Sequence, residues 1–180
     1  IKCDGLTLQQ IRGIEGVRIR KAYQQAAKQN GITWKARKYK NTNWDDSDDI
    51  NKALSEANAI LYSICQATII SLGYSTALGF IHTGKALSFV YDIADLYKAD
   101  MTIPAAFEAV KKYPNDYSTQ IRRICRGYFH RQGLMKRIAG DLSSLFHEEG
   151  NEQIEALSTG NLWDEDGNEI DGGKNYGSGE

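Results

Sequence analysis

The sequence predicts an all-α domain followed by a flexible acidic tail. Apolar residues recur at helical spacing through most of residues 7–146, almost no stretch alternates with the period of a strand, and the last thirty residues turn polar and glycine-rich. Taken in order, Thr7 to about Asn30 carries apolar positions at Leu8, Ile11, Ile14, Val17 and Ala22, with Gly31 as a stop. Residues 31–46 lose that period and mix Trp34, Tyr39 and Trp44 with Lys35, Arg37, Lys38 and Lys40, as a loop or short extended hairpin would. Ser47 or Asp48 caps a long helix to about Leu72, with Ile50, Leu54, Ala57, Leu61, Ile64 and Thr68 on one face and Gly73 at its end. Tyr74–Thr83 is expected to form a short helix and a turn, and Ala86–Lys98 another helix. Pro104 fits the first turn of a helix through Lys112, closed by Pro114. Ser118 caps a final helical run to about Phe146 with a break near Gly133. Turns are expected at Asp166-Gly167 and Gly172-Gly173. The expected organisation is a helical domain over 1–147 and an acidic, glycine-rich tail over 148–180.

The chain has 180 residues, 41% hydrophobic and 25% charged, the composition of one ordinary soluble domain. No run approaches the roughly 18 apolar residues of a membrane span, and nothing near Ile1 resembles a signal peptide. The start at Ile1 leaves open a fragment of a longer protein. Cys3, Cys65 and Cys125 have no metal-ligand spacing and read as idle thiols in a reducing cytosol. The net charge of −1 hides a strong asymmetry. Eight Lys/Arg and no acid lie between Arg18 and Lys40, and eight more accompany only Asp116 between Lys111 and Arg137. Residues 1–147 carry a net +8, whereas ten acids and Lys174 make up the charge from Glu148 onward. A basic body with an acidic tail suggests a polyanionic partner.

On a helical wheel at about 100° per residue, Ala86–Lys98 is apolar nearly all round. Leu87, Val90, Ala94 and Tyr97 form one stripe, Phe89, Ile93 and Leu96 widen it, and a narrow strip is left for Ser88, Asp92 and Asp95. Two carboxylates at i and i+3 on a mostly buried helix need a compensating cation or a shared proton. The alternative is a solvated sliver of helix. His82, before the turn at Thr83-Gly84, can fold back over the helix start. An imidazole with two carboxylates suits Mg²⁺ or Mn²⁺ better than Zn²⁺, although a lone histidine beside apolar residues is often only a hydrogen-bonded core residue. Glu15 lies between Gly13 and Gly16, each costing a helix about 1 kcal/mol relative to alanine. Such glycines mark close approach of a backbone or a ligand. A surface Glu15 paired with Arg12 or Arg18 is the plainer reading and leaves the glycines unexplained.

The stretches RGIEGVRIR (12–20), GITWKARKY (31–39) and GFIHTGKALSFVYDIAD (79–95), with IPAAF (103–107) and IRRICR (121–126), resemble the CRISPR-associated adaptation nuclease and integrase family Cas-one, of the type I-E kind. The resemblance covers most of residues 10–135 and implies the C-terminal α-helical catalytic domain of that family. It implies a divalent metal, Mg²⁺ or Mn²⁺, held by Glu15, His82 and Asp95, with Asp92 a further acid essential to the site and Tyr62 a catalytic or positioning residue. It also implies a partner protein, Cas-two, and a reaction joining the 3′-hydroxyl ends of captured double-stranded DNA to a CRISPR repeat in the prokaryotic cytoplasm. Lys85 matches a family lysine that would neutralise a phosphate. Arg12, Arg18, Arg20, Lys98, Arg122 and Arg126 are candidate phosphate contacts, and Tyr39 and Trp44 candidate stacking surfaces for exposed bases. A complete member begins with a β-rich domain that supports homodimerisation, and this sequence is expected to be the catalytic part without it. A helical His-Asp phosphohydrolase would need an adjacent His-Asp pair, and none of His82, His130 or His147 is followed by Asp. A non-catalytic helical DNA-binding module would account for the basic clusters but not for the strip of Ser88, Asp92 and Asp95.

Overall fold

A computed structural model describes residues 5–37 and 48–146, together with the backbone of 162–163 and 169–170. Among the described residues six helices follow in order: α1 (Leu8–Asn30), α2 (Asp49–Ser71), α3 (Ser88–Lys98), α4 (Thr102–Lys112), α5 (Tyr117–Arg131) and α6 (Leu134–Phe146). The chain divides into two units, Ile1–Ser143 and Ser144–Glu180. In the second, β1 (Leu162–Trp163) pairs antiparallel with β2 (Glu169–Ile170), where only a flexible tail was expected. The expected loop or hairpin with Tyr39 and Trp44 falls partly, and the glycine turns of the tail wholly, outside the described residues.

Local chemistry sets the helix ends. Thr7 opens α1 with a capping box: its hydroxyl accepts from Gln10 N–H, and the Gln10 side chain accepts from Thr7 N–H. Gly31 closes α1 at φ 63°, a left-handed conformation that glycine adopts without a Cβ penalty. Asp48 caps α2 by accepting from Asn51 N–H. Gly133, at φ 59°, makes the expected break between α5 and α6. Ser118, expected as a cap, lies inside the first turn of α5 and donates to Glu56 instead.

The core is organised around α2, which packs against α3, α4 and α5, while α1 lies on α4. Leu54, Leu61, Cys65 and Ile69 of α2 meet Phe89 and Tyr97 of α3, Phe107 of α4 and Ile121 of α5 in one buried cluster. Each large apolar side chain buried there contributes about 1.5–3 kcal/mol. Cys65 and Cys125 are both buried free thiols, and burial pushes each up to about 12. Tyr97, fully buried, donates to Asp141 at 2.5 Å and so ties α3 to α6; burial, then the Asp141 bond, raises its phenol well above the ordinary value.

Three local expectations are corrected. The apolar stripe on α1 buries Tyr23, Ala26 and Ala27, whereas Ile14 and Val17 stay 41% and 48% exposed, because the first half of the helix stands away from the core. Residues 74–83 form turns and bends without a helix, with Phe89 N–H donating to Thr76 O and the chain folded onto the start of α3. On α3, Ser88 leaves the polar strip: it is fully buried and its hydroxyl bonds both Lys85 N–H and Lys85 O, while Leu96 is 48% exposed.

A candidate active-site cleft between α1, α2 and α3

A cleft of about 950 Å³ opens among α1, α2, α3 and the 81–85 loop. Its lining includes Glu15, Arg12 and Arg18 from α1, Tyr62 from α2, His82 and Lys85 from the loop, and Asp92, Asp95 and Lys98 from α3. Segments far apart in sequence thus bring all three expected site acids and the imidazole of His82 to one cleft, with Tyr62 and four of the expected cations.

Asp92 is the most constrained of these groups. Its Oδ2 accepts from Phe80 N–H at 2.5 Å and Ile81 N–H at 2.9 Å; its Oδ1 accepts from His82 N–H at 2.9 Å and meets His82 Nδ1 at 2.7 Å. Three successive backbone N–H groups form a concavity for one anion, and the carboxylate fills it. A carboxylate has no proton to give, so Nδ1 donates, and Nε2 is the ring nitrogen that Asp92 does not engage. Nε2 has no hydrogen-bond partner among the described residues. The ring also packs edge-on to Tyr91, with centroids 5.8 Å apart, and Tyr91 in turn packs edge-on to Tyr62 at 5.0 Å.

The loop reaches this position because residue 79 is glycine. A Cβ there would lie 2.3 Å from the His82 carbonyl oxygen and 2.8 Å from the Ser88 backbone carbon and Cβ. Reading the sequence missed Gly79; a glycine three residues ahead of His82, outside any helix, was the available signal. Arg12 adds a tether by donating to the Ile81 carbonyl.

The other acids are held by cations. Arg18 donates from Nε to Glu15 Oε2 and from Nη2 to Glu15 Oε1, both at 2.9 Å, and from Nη2 to the Asp95 carbonyl at 2.7 Å. The Glu15 bond raises the guanidinium above its ordinary value. Lys98 Nζ lies 2.5 Å from Asp95 Oδ1 and 4.9 Å from the centre of the Tyr62 ring. Burial works against that ammonium, yet Asp95 and Tyr62 hold it above its ordinary value. Arg18 and Lys98, expected on a DNA track, therefore serve here as partners of the acids. Among the described residues no three His, Cys, Asp or Glu side chains are clustered as a ready-made metal site.

Lys85 is exposed and has no acidic partner among the described residues. Arg20, Arg122 and Arg126 are exposed but do not line the cleft, the last two lying on α5. Tyr39 and Trp44 fall outside the described residues. The expected close approach at Gly13 and Gly16 is not made by the described residues: beyond the helix's own backbone, a Cβ at either meets none of their atoms within 4 Å.

The fold and the cleft define a helical domain with an acid- and imidazole-lined cavity rimmed by cations. Residues 3–139 match the family described as CRISPR associated protein Cas1, and the chain belongs to that family. It is 46% identical over 180 residues to the CRISPR-associated endonuclease Cas1 2 of Thermus thermophilus, covering 97% of this chain and 55% of the relative. The Escherichia coli CRISPR-associated endonuclease Cas1 is 42% identical over 132 residues, 73% of this chain and 43% of its own. A crystal structure of a TtCas1–DNA complex superposes with a TM-score of 0.75 at 49% identity, covering 80% of this chain and 55% of that one. The chain spans about half the length of the curated relatives it matches.

Proposed function

We propose that this chain is the catalytic part of a metal-dependent DNA nuclease and integrase of CRISPR adaptation, which joins the 3′-hydroxyl ends of captured DNA to a CRISPR repeat. The observation that carries this reading is the single cleft shared by Glu15, His82, Asp92 and Asp95 with the cations of α1, α3 and the loop. Membership of the Cas1 family and the likeness to a DNA-bound relative support it. The complete protein would act as a homodimer with Cas-two in the prokaryotic cytoplasm; among the described residues no helix is long and apolar enough to cross a membrane.

The donor set suits a hard divalent cation: two carboxylates, of Glu15 and Asp95, and an imidazole whose Nε2 is unspent while Nδ1 is fixed by a carboxylate. Bound there by Glu15, His82 and Asp95, Mg²⁺ or Mn²⁺ would supply charge stabilisation at the scissile phosphate and at the attacking hydroxyl. Asp92 fixes the ring and its tautomer. Lys85, unpaired at the rim, neutralises an incoming phosphate, and Tyr62 holds Lys98 and Tyr91 in place against the cleft floor. Arg20, Arg122 and Arg126 would extend the phosphate track outside the cleft, at a salt-dependent gain in affinity.

One observation favours a second reading, a non-catalytic helical DNA-binding module: Glu15 and Asp95 are already neutralised by Arg18 and Lys98. Mn²⁺-dependent strand joining separates the two. In the complete protein, His82→Ala and Asp95→Ala should each abolish joining and leave DNA binding largely intact. Joining that survives both changes would overturn the site.

A further inference from the structure

The two ion pairs of the cleft are not equivalent. Arg18 takes both oxygens of Glu15, each at 2.9 Å, so no other cation can claim that carboxylate without loosening it. Lys98 takes only Oδ1 of Asp95, and Oδ2 has no partner among the described residues. The Glu15–Arg18 pair is also about one-third exposed on both sides, where water and salt weaken such pairs and make them exchangeable. Arg18 has a second hold, from Nη2 to the Asp95 carbonyl, that does not involve Glu15. Released from the carboxylate, the guanidinium would stay in the cleft, still charged, with its remaining N–H groups free.

We propose that Arg18 is a stand-in cation: it neutralises Glu15 in the metal-free protein, gives the carboxylate up to a divalent ion, and is thereby freed to take a DNA phosphate. The inference rests on the metal reading given above and deepens it. Charge makes the exchange directional. A doubly charged ion at Glu15 repels the guanidinium it displaces, and a phosphate entering the same cleft attracts it. The planar fork that now grips two carboxylate oxygens matches two phosphate oxygens equally well. Metal and DNA then strengthen each other's binding, and by linkage the gain is the same in either order. Lys98, with 16% side-chain exposure and packed on Tyr62, stays with Asp95 throughout.

The test is Mn²⁺ binding to the DNA-free protein, followed by titration calorimetry or the loss of the free-ion electron paramagnetic resonance signal. Glu15→Gln should abolish the site. Arg18→Ala and Arg18→Gln should each tighten Mn²⁺ roughly threefold, the scale of losing one exposed ion pair as a competitor. Lys85→Ala removes a cation from the same cleft without freeing a carboxylate, and should shift the affinity clearly less. A short duplex with blocked 3′ ends should bind the wild type more tightly with Mn²⁺ than without, and that gain should shrink in both Arg18 variants. Weaker or unchanged Mn²⁺ binding in the Arg18 variants, or an equal shift in Lys85→Ala, overturns the exchange while leaving the metal site standing. Mn²⁺ binding that survives Glu15→Gln overturns the metal reading, and the exchange falls with it.

Discussion

On the α3 wall of the cleft, Asp92 is 7% exposed and spends both oxygens on the backbone of residues 80–82 and the ring of His82. On the α1 wall, Glu15 is 34% exposed and meets Arg18, three residues along its own helix. The first carboxylate is part of the fold: removing it strands three N–H groups and an imidazole that no other described side chain serves. The second is a local pairing that costs little to remake. A cleft built this way has one wall set before anything binds and another that adjusts to what arrives. The rigid wall carries the imidazole, whose aim matters. The adjustable wall carries charge, whose balance changes with each ligand.

The sharpest way to break that contrast is to remove Asp92. Asp92→Ala should lower stability by about 2–4 kcal/mol, because buried donors lose their acceptor, whereas Glu15→Ala should stay within about 1 kcal/mol of wild type. Urea denaturation of the two variants measures both. A comparable loss in each would show that the walls are alike. The backbone half of the same wall should respond next. Gly79→Ala pushes a methyl group to within 2.3 Å of the His82 carbonyl and should cost about 1–3 kcal/mol, as overpacking does. The His82 ring signals in the proton spectrum should shift in Gly79→Ala as they do in Asp92→Asn, since both changes release the loop. An unshifted His82 in either variant would mean that the ring is held by Tyr91 packing rather than by the carboxylate.

How much of this was legible in the sequence follows the same division. The helices were readable because their punctuation is local: Thr7 with Gln10, Asp48 with Asn51, Gly31 and Gly133 each act within four residues. The narrow strip on α3 identified Asp92 and Asp95 as unusual, since a nearly all-apolar helix leaves few places for a charge. What Asp92 does was not legible. Its partners are ten to twelve residues back, in a stretch read as a short helix and a turn, and the N–H groups that bind it carry no side-chain signature. Periodicity likewise could not show that α1 joins the core only in its second half, because Ile14 and Val17 look like core residues wherever they are placed. Charge type alone does not show that Arg18 and Lys98 are paired with acids. A basic cluster suggests a phosphate track, but the sequence does not say which of its members are already engaged by an acid on a neighbouring turn.

The smallest effect is expected at the two glycines flanking Glu15, and it discriminates most finely. Beyond its own helix backbone, neither has a described protein atom within 4 Å of where a Cβ would stand, so alanine at either position should stabilise α1 by about 0.5–1 kcal/mol through helix propensity alone. Only Gly16 lines the cleft; Gly13 lines a shallow groove with Leu6, Gln10, Ile14 and Val17. If the adjustable wall is where DNA approaches the helix backbone, Gly16→Ala should weaken duplex binding severalfold despite its gain in stability, and Gly13→Ala should not. Fluorescence anisotropy on the two variants reads this directly. Equal, undiminished binding in both would leave the glycines without a ligand to explain them and would place the DNA path on Lys85 and α3 instead.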